Sequence, residues 1–349
     1  MTSWRNRWRL VAALVVLACL LGFAVSSAVD GGGGSAAGEG DGAGGLADPV
    51  GDPERGLVGT AETNDGEFSL LTYNVAGLPA EMTKLDPGAH LPIVGRLVNS
   101  YALVLTQEDF DWWKPGGVGD GLDFATYHER LVDESTHQYR SGPHPGIDPV
   151  GVAAERLTDV QFGDGLGLLS RFPIEGHLRV PWSGCFGEPD GGDGGAGDCM
   201  ALKGFSSTIL TLADGVTVDL YNVHAEAGGT ESDQELRAAD LDELARFIGE
   251  NSGGRAVIVA GDTNLGAGGA DATVWKAFLE ATGLTDACDA TRCGDPTRVD
   301  KVAFRSGEEV DLDAVLHAPH PKRFVDGEKE ALSDHVPLEV RFAWERAGT

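Results

Sequence analysis

Four short apolar runs along the chain end on polar side chains. Each run has strand length and is rich in β-branched and aliphatic residues, which predicts four β-strands. They span residues 68–74, 102–108, 216–224 and 256–264, and they end on Asn74, Glu108, His224 and Asn264. One such ending is ordinary at a strand-to-loop junction. Four of them indicate strand ends that converge on one site, where α/β folds commonly place ligands.

Helical patterns lie between these predicted strands. Ser232 followed by Glu235 fits a capping box, and apolar residues at helical spacing come after it. Two further helices are predicted over residues 91–98 and 272–282, and Gly283 is placed to stop the second of them. Strands that alternate with helices predict an α+β or α/β domain.

The first residues carry the pattern of an export signal. Three arginines precede an apolar run over residues 10–25, and the small residues Ser26 and Ala28 follow it. This predicts that residues 1–28 are a cleaved signal peptide or, as the second interpretation, an uncleaved N-terminal membrane anchor. A lipoprotein signal at Cys19 is disfavoured, because the residues after it stay apolar. Both main interpretations place the rest of the chain outside the cytoplasm.

Composition changes sharply after this segment. Residues 29–65 are rich in glycine and acidic residues and poor in large apolar ones, as expected of a disordered linker, and the folded domain is expected over residues 66–345. The formal net charge of the 349-residue chain is −29, and an acidic protein repels phosphate polyanions. Tight non-specific binding to nucleic acid is therefore disfavoured. A nuclease is not excluded, because a bound cation can invert the local field.

The expected domain contains four cysteines, Cys185, Cys199, Cys288 and Cys293. An even number in an exported domain predicts disulfides, and proximity along the chain suggests the pairs Cys185–Cys199 and Cys288–Cys293. A zinc site is the competing interpretation, but the cysteine spacing fits it poorly and no pair of histidines is near in the sequence.

Seven segments resemble motifs of the endonuclease/exonuclease/phosphatase (DNase I-like) superfamily, and they occur in that family's order. They are LTYNVAGLP at 71–79, TQE at 106–108, GLGLLSRFPI at 165–174, YNVHAEAG at 221–228, GDTN at 261–264, RVDKVAF at 298–304 and LSDHVP at 332–337. Each is weak alone, but together they cover roughly residues 68–342. The resemblance implies an α+β fold, a four-layer α/β/β/α sandwich with two packed β-sheets flanked by helices.

Within that superfamily, two features are similar to bacterial neutral sphingomyelinases. One is the cysteine-bounded segment from Cys185 to Phe205, which ends in ALKGF, and the other is the long segment after His224. The similarity implies an exported, magnesium-dependent phosphodiesterase that acts as a monomer on a phospholipid headgroup, with sphingomyelin as the first candidate. A secreted nuclease and a catalytically silent binding module on the same fold are the alternatives.

The resemblance also implies a metal site. Glu108 would bind Mg²⁺, or Mn²⁺ or another divalent cation, and Asn74 would serve nearby as a neutral oxygen donor or orienter. Asp334 would hold a second metal or orient its loop.

The same resemblance implies which residues position the substrate. Asp262 and Asn264 would position the attacking water and the phosphate, and His224 would donate a hydrogen bond to the phosphoryl oxygens. Asp219, which lies inside a predicted strand, is instead expected to face solvent.

His335 is the expected general base, because imidazole titrates near neutral pH and a carboxylate partner can orient it. Asp300 is the expected partner. Asp311 and Asp313 also precede an apolar strand and compete with Asp300 for that role.

Overall fold

A computed structural model describes residues 64–78, 83–110, 112–115, 122–125, 127–142, 163–185, 198, 201–295 and 298–348. The predicted signal or anchor segment at 1–28 and nearly all of the predicted linker lie outside these residues, and so does Cys199. In the described part of the chain, no helix is long and apolar enough to cross a membrane.

The strands follow one another along the chain with helices between them. The strands are β1 (Asp65–Asn74), β2 (Leu103–Gln107), β3 (Trp112–Pro115), β4 (Leu122–Ala125), β5 (Tyr139–Arg140), β6 (Gly167–Ser170), β7 (Ile174–Pro181), β8 (Gly204–Ala213), β9 (Val216–His224), β10 (Ala256–Asp262), β11 (Thr285–Asp286), β12 (Asp300–Arg305), β13 (Val310–Pro319) and β14 (Leu338–Arg346). The helices are α1 (Pro87–Leu97), α2 (Tyr127–Asp133), α3 (Glu231–Asn251), α4 (Gly269–Thr282) and α5 (Ala287–Thr291).

Two six-stranded mixed sheets organise the fold. One has the order β13-β14-β1-β2-β6-β5 and the other β11-β12-β10-β9-β8-β7, while β3 and β4 pair as a separate hairpin. β1 is parallel to β2, and β9 is parallel to β10. In each sheet, two central strands therefore end at the same edge.

Three apolar clusters separate the layers. The residues between the sheets include Phe68, Leu105, Leu220, Ile258 and Phe342. On the outer face of the first sheet a second cluster joins it to α1 and α2, and on the outer face of the second sheet a third cluster joins it to α3 and α4. Helices thus cover the two sheets from outside, which confirms the predicted α/β/β/α sandwich.

The predicted helices are present, but some of their ends lie a few residues from the predicted positions. The N-cap of α3 is Thr230, whose hydroxyl accepts from the Asp233 amide while the Asp233 carboxylate accepts from the Thr230 amide, so the capping box lies two residues before the predicted Ser232–Glu235. α1 begins at residue 87 rather than 91. α4 ends at Gly283, which has a φ of 67°, as its sequence predicted.

The expectation that Asp219 faces solvent is wrong. Asp219 is 2% exposed, because the end of α3 covers this part of β9. Arg255 Nε donates to both carboxylate oxygens, at 2.8 and 2.9 Å, and the Ser252 hydroxyl donates as well. These partners keep the buried charge compensated.

One polar bridge crosses between the sheets just behind the strand ends. The Asn222 side chain on β9 donates to the Thr106 and Gly167 carbonyls of the first sheet at 2.9 and 3.0 Å. The Gln107 amide on β2 donates back to Asn222 Oδ1 at 2.6 Å. Because buried amides must be paired, this bridge fixes the register of one sheet against the other.

The cysteines follow the sequence expectation as far as they are described. Cys288 and Cys293 form a disulfide across α5, with Cα atoms 4.8 Å apart. Cys185 is also disulfide-bonded. Its predicted partner Cys199 lies outside the described residues, so the Cys185–Cys199 pairing stays a prediction.

Candidate active site

The ends of neighbouring strands bring the candidate residues together. β9 ends on His224 and β10 ends on Asp262, and parallel pairing sets these two side by side. β12 begins with Asp300, which is paired with Asp262 on the other side of β10. One row across the second sheet therefore carries a histidine and two carboxylates.

The first sheet contributes an amide and a third carboxylate. Asn74 Nδ2 lies 2.9 Å from Glu108 Oε1 and 3.0 Å from Asp262 Oδ2, so one amide joins carboxylates from both sheets. The side-chain oxygen Oδ1 of Asn74 accepts from the Ala76 backbone amide at 3.0 Å. In this arrangement Asn74 orients the two carboxylates.

A histidine–carboxylate dyad completes the cluster. His335 Nδ1 lies 3.0 Å from Asp300 Oδ1, and His335 Nε2 lies 3.6 Å from Asp262 Oδ2. The Ser333 hydroxyl donates to the Asn74 carbonyl at 2.7 Å and accepts from the His335 amide at 3.1 Å. The loop that carries His335 is thereby fastened to the end of β1.

Asp300, and neither Asp311 nor Asp313, contacts His335. Asp311 and Asp313 are exposed on β13 at the far end of β1, where they line a surface concavity of about 380 Å³. The carboxylates of this surface, called here the acidic rim, are Asp65, Glu67, Asp311, Asp313 and Glu345.

His224 is buried among charged groups. Its Nε2 lies 3.7 Å from Asp262 Oδ2 and 3.9 Å from Glu108 Oε1. Burial and the nearby Lys203 ammonium hold the pKa of His224 well below its usual range, against the pull of Asp262. The ring is therefore neutral at pH 7 and can donate a hydrogen bond without carrying charge.

Lys203 is a site residue to which sequence reasoning gave no role. It is 6% exposed, its Nζ lies 2.6 Å from Asp198 Oδ1, and it donates to the Ala225 carbonyl at 3.4 Å. Burial disfavours its charge, but Asp198 and Glu108 outweigh burial and raise its pKa. The only sequence signal is its place in the ALKGF segment, just before β8.

Asn264 and Asp334 lie at the edge of the cluster. The Asn264 amide donates to Asp262 Oδ1 at 3.0 Å, and its side-chain Nδ2 donates to the Ala225 carbonyl at 3.0 Å. Asp334 is exposed, with Oδ1 3.4 Å from the Ser333 hydroxyl. Asn264 thus holds the Asp262 carboxylate, while Asp334 adds negative charge at the mouth.

Two of these residues have a left-handed backbone. Glu108 has a φ of 52° and Asn264 a φ of 51°. Asparagine visits this region readily, but for glutamate it costs about 1–2 kcal/mol. Such strained residues cluster at functional sites.

The cluster strongly perturbs the charges of its members. Burial raises the pKa of Glu108, whereas the pKa of Asp262 is lowered because its neighbours, His335 above all and also Lys203 and the Asn74 amide, outweigh its burial. Burial also opposes a charge on His335, yet Asp262, Asp300 and Asp334 together raise its pKa to about 10.

The donor set fits a hard divalent cation. The Glu108 side chain is 16% exposed, and burial raises the pKa of its carboxylate. A bound cation would stabilise the charged form of this carboxylate. Ligand atoms of Asp262, Asp300 and His335 lie within 4.8 Å of one another. Carboxylate oxygens at a partly open position are what Mg²⁺ prefers.

Comparison with known proteins agrees with this architecture. The chain matches the Endonuclease/Exonuclease/phosphatase family over residues 71–335. It is 32% identical over 299 residues to proteins named sphingomyelinase from Mycobacterium bovis and Mycobacterium tuberculosis, which covers 80% of this chain and 54% of theirs. It thus spans about half the length of the curated relatives it matches.

Solved structures share the fold at low identity. Beta toxin from Staphylococcus aureus with bound magnesium ions has a TM-score of 0.54 at 17% identity, over 79% of this chain and 99% of that one. Danio rerio TDP2 complexed with single strand DNA product has a TM-score of 0.51 at 16% identity, over 80% and 99%.

The chain belongs to the endonuclease/exonuclease/phosphatase family, a family of phosphodiester hydrolases, as its seven motifs predicted.

Proposed function

We propose that this chain is an exported, divalent-metal-dependent phosphodiesterase that hydrolyses the headgroup phosphodiester of a phospholipid, with sphingomyelin as the first candidate. The observation that carries the proposal is the Asp300–His335 dyad facing Asp262, with Asn74 tying Asp262 to Glu108. The mycobacterial relatives named sphingomyelinase support the lipid substrate, and the net charge of −29 counts against a polyanionic nucleic acid.

Glu108 is the proposed principal ligand for Mg²⁺ or Mn²⁺. Asn74 orients that carboxylate, and Asp334, exposed at the mouth, is the proposed ligand for a second cation. The bound cation supplies neutralisation of charge on the phosphoryl oxygens.

Hydrolysis also needs a group that takes a proton from water. His335 Nε2 and Asp262 Oδ2, which lie 3.6 Å apart, are the two groups placed to exchange one. While Asp262, Asp300 and Asp334 all stay charged, they raise the pKa of His335 and keep the ring protonated at neutral pH, so in that state it takes no proton from water. Once those carboxylates are neutralised, the imidazole ring takes that part as general base.

The remaining groups act on the phosphate. His224, neutral and within 4 Å of two carboxylates, donates to a phosphoryl oxygen as charge builds there. Asn264 holds the Asp262 carboxylate in place, and Lys203 adds a fixed positive charge behind Glu108. Together they favour attack of water on phosphorus and departure of the ester oxygen.

A substrate panel tests the proposal. Purified protein with Mg²⁺ is incubated with sphingomyelin, phosphatidylcholine, plasmid DNA and bis-p-nitrophenyl phosphate. We expect sphingomyelin turnover, its abolition by EDTA and its recovery with Mg²⁺ or Mn²⁺. Plasmid cleavage without lipid turnover would favour a secreted nuclease, and no turnover at all would favour a silent binding module.

A pair of matched variants tests the metal ligand. Glu108→Gln should weaken Mg²⁺ binding without unfolding the domain, because glutamine keeps the shape and removes the charge. Glu67→Gln makes the same change at an exposed position of the acidic rim and should leave Mg²⁺ binding unchanged. Equal metal affinity in both variants, or full activity in chelator, contradicts the assignment.

A further inference from the structure

Arg298 lies behind the dyad, on the side away from the reacting groups. Its Nη2 lies 3.1 Å from Asp300 Oδ2 and also donates to the Val336 carbonyl. The other Asp300 oxygen, Oδ1, accepts from His335 Nδ1. One guanidinium therefore holds both the carboxylate that orients the imidazole and the peptide that follows the imidazole.

The main chain around Arg298 is itself fixed. The Lys301 ammonium donates to the Arg298 carbonyl at 2.7 Å. The Thr263 amide and hydroxyl both donate to the Val299 carbonyl, at 3.0 and 2.7 Å. Since Thr263 directly follows Asp262, the arginine is anchored to the strand that carries the dyad's other neighbour.

The far side of Arg298 borders a small cavity. The side chain is 13% exposed and borders a cavity of about 140 Å³, which is lined by Cys293, Gly294, Asp295, Arg298, His317 and Pro319. Its Nε is buried without a hydrogen-bond partner among the described residues. Within the described ranges, the guanidinium hydrogen bonds are those to Asp300 and Val336.

We propose that Arg298 is a positioning residue for the hydrolysis: it fixes the carboxylate plane of Asp300 and the chain after His335, so that Nε2 is held towards Asp262. The proposal depends on the proposed function of the dyad. A carboxylate held at only one oxygen can rotate, whereas one held at both cannot do so without losing a hydrogen bond. Arginine suits this place because its planar fork presents several donors at once.

Substitution of Arg298 should lower kcat and spare KM. Misplacement of a reacting group by about 1 Å can cost on the order of 100-fold, so Arg298→Gln should reduce kcat roughly 10–100-fold with KM within about twofold. Arg298→Lys should recover part of the loss, because it keeps the charge and one donor direction. Arg305→Gln is the control: Arg305 likewise makes two hydrogen bonds, to the carbonyls of Thr282 and Ser252, but at the opposite end of β12 from Asp300, and its loss should spare kcat.

A double-mutant cycle separates positioning from general support of the fold. In an Asp300→Ala background, Arg298→Gln should lower kcat by less than about twofold further, because the arginine acts through that carboxylate. Two effects that multiply in full would overturn the proposal.

The cavity allows chemical rescue. In Arg298→Ala, the space left by the side chain joins the existing cavity, so millimolar ethylguanidinium should restore part of kcat. The same compound should not restore kcat in Asp300→Ala. Absence of rescue together with an unchanged kcat in Arg298→Gln contradicts the role.

A spectroscopic readout keeps this inference separate from the proposed activity. In wild type, the His335 Nδ1 proton should give a low-field NMR resonance that is missing in His335→Ala. It should shift or vanish in Arg298→Gln, or in Arg298→Lys if the glutamine variant does not fold, while thermal stability is retained. An unchanged resonance overturns the proposal even if no phosphodiester is turned over. A shifted resonance in a protein without turnover sinks the proposed function and leaves the positioning role standing.

Discussion

The two ends of strand β1 carry carboxylates in opposite settings. At the Asn74 end, Glu108, Asp262 and Asp300 are largely buried and are held by an amide, two histidines and a lysine. At the Asp65 end, the acidic rim is exposed to solvent. Both regions are rich in acid, but only the first arranges its acids around common partners.

The difference shows why acidic residues alone say little about chemistry. Water surrounds the rim carboxylates and screens their charges from one another. In the buried cluster, desolvation and close opposite charges pull the pKa values apart, which is how one site can hold both an acid and a base.

The largest effect should come from the buried end. His335→Ala removes the water-activating group, and acid–base assistance typically contributes 10²–10⁴-fold, so turnover should fall by roughly that much while Mg²⁺ affinity changes little. Turnover should fall less in Asp300→Asn, because this change disturbs the orientation of His335 without deleting it. Steady-state kinetics and metal titration on each variant measure both quantities.

Asp313→Asn is the matched control for that series. It makes the same change as Asp300→Asn at an exposed site on the acidic rim. Turnover should stay at the wild-type value. If it falls as in Asp300→Asn, the contrast between the two ends fails.

A smaller effect is expected at Asp240, a buried carboxylate on α3 that accepts from the Glu226 amide at 3.0 Å. Burial raises its pKa to about 7. An unfolded aspartate titrates near 4, so its stabilising contribution is complete below about pH 4 and is lost as pH rises through 7. The free energy of unfolding of Asp240→Asn should therefore exceed that of wild type by about 1–3 kcal/mol at pH 8, and this difference should shrink towards pH 4.

Urea unfolding of both proteins at pH 5 and pH 8 measures this gain. Asp311→Asn, on the exposed rim, is the control. Its free energy of unfolding should differ from that of wild type by the same amount at both pH values. A gain for Asp240→Asn that is equal at both pH values would show that charge burial is not its source.

The smallest effect should come from the rim itself. Asp65, Glu345 and Asp311 lie directly opposite one another on three adjacent strands, and like charges in such positions repel. Glu345→Gln should raise the melting temperature by about 1–2 °C at low salt. The increase should disappear near 0.5 M salt, where the Debye length is only about 4 Å. A shift that persists at high salt would point to packing instead.

The sequence predicted the site residues at the ends of strands, because an apolar run followed by a polar residue is a local pattern. It favoured Asp300 over Asp311 and Asp313 only through the motif around Asp300, since all three precede an apolar strand. The choice depends on which strand pairs with β10, and that is decided by β12. The capping box posed a similar difficulty, because Ser232 and Glu235 match the usual sequence pattern, whereas the box in the structure uses Thr230 and Asp233.

The sequence also did not predict which buried charges are paired with residues far away along the chain. Lys203 stays charged because Asp198 precedes it by five residues and Glu108 comes from the other sheet. Asp219 was expected to face solvent, but it is buried, and Arg255 and Ser252 donate hydrogen bonds to its carboxylate. In each case the partner that decides the environment is supplied by tertiary structure.

The left-handed backbone at Glu108 bears on how this chain can change over generations. Glycine adopts a φ near 52° without steric cost, so Glu108→Gly would relax the turn after β2 and at the same time delete the proposed metal ligand. Selection for a sturdier fold alone therefore pushes this position towards glycine. The glutamate side chain thus costs local stability at this position, and the proposed metal-binding role accounts for its presence there.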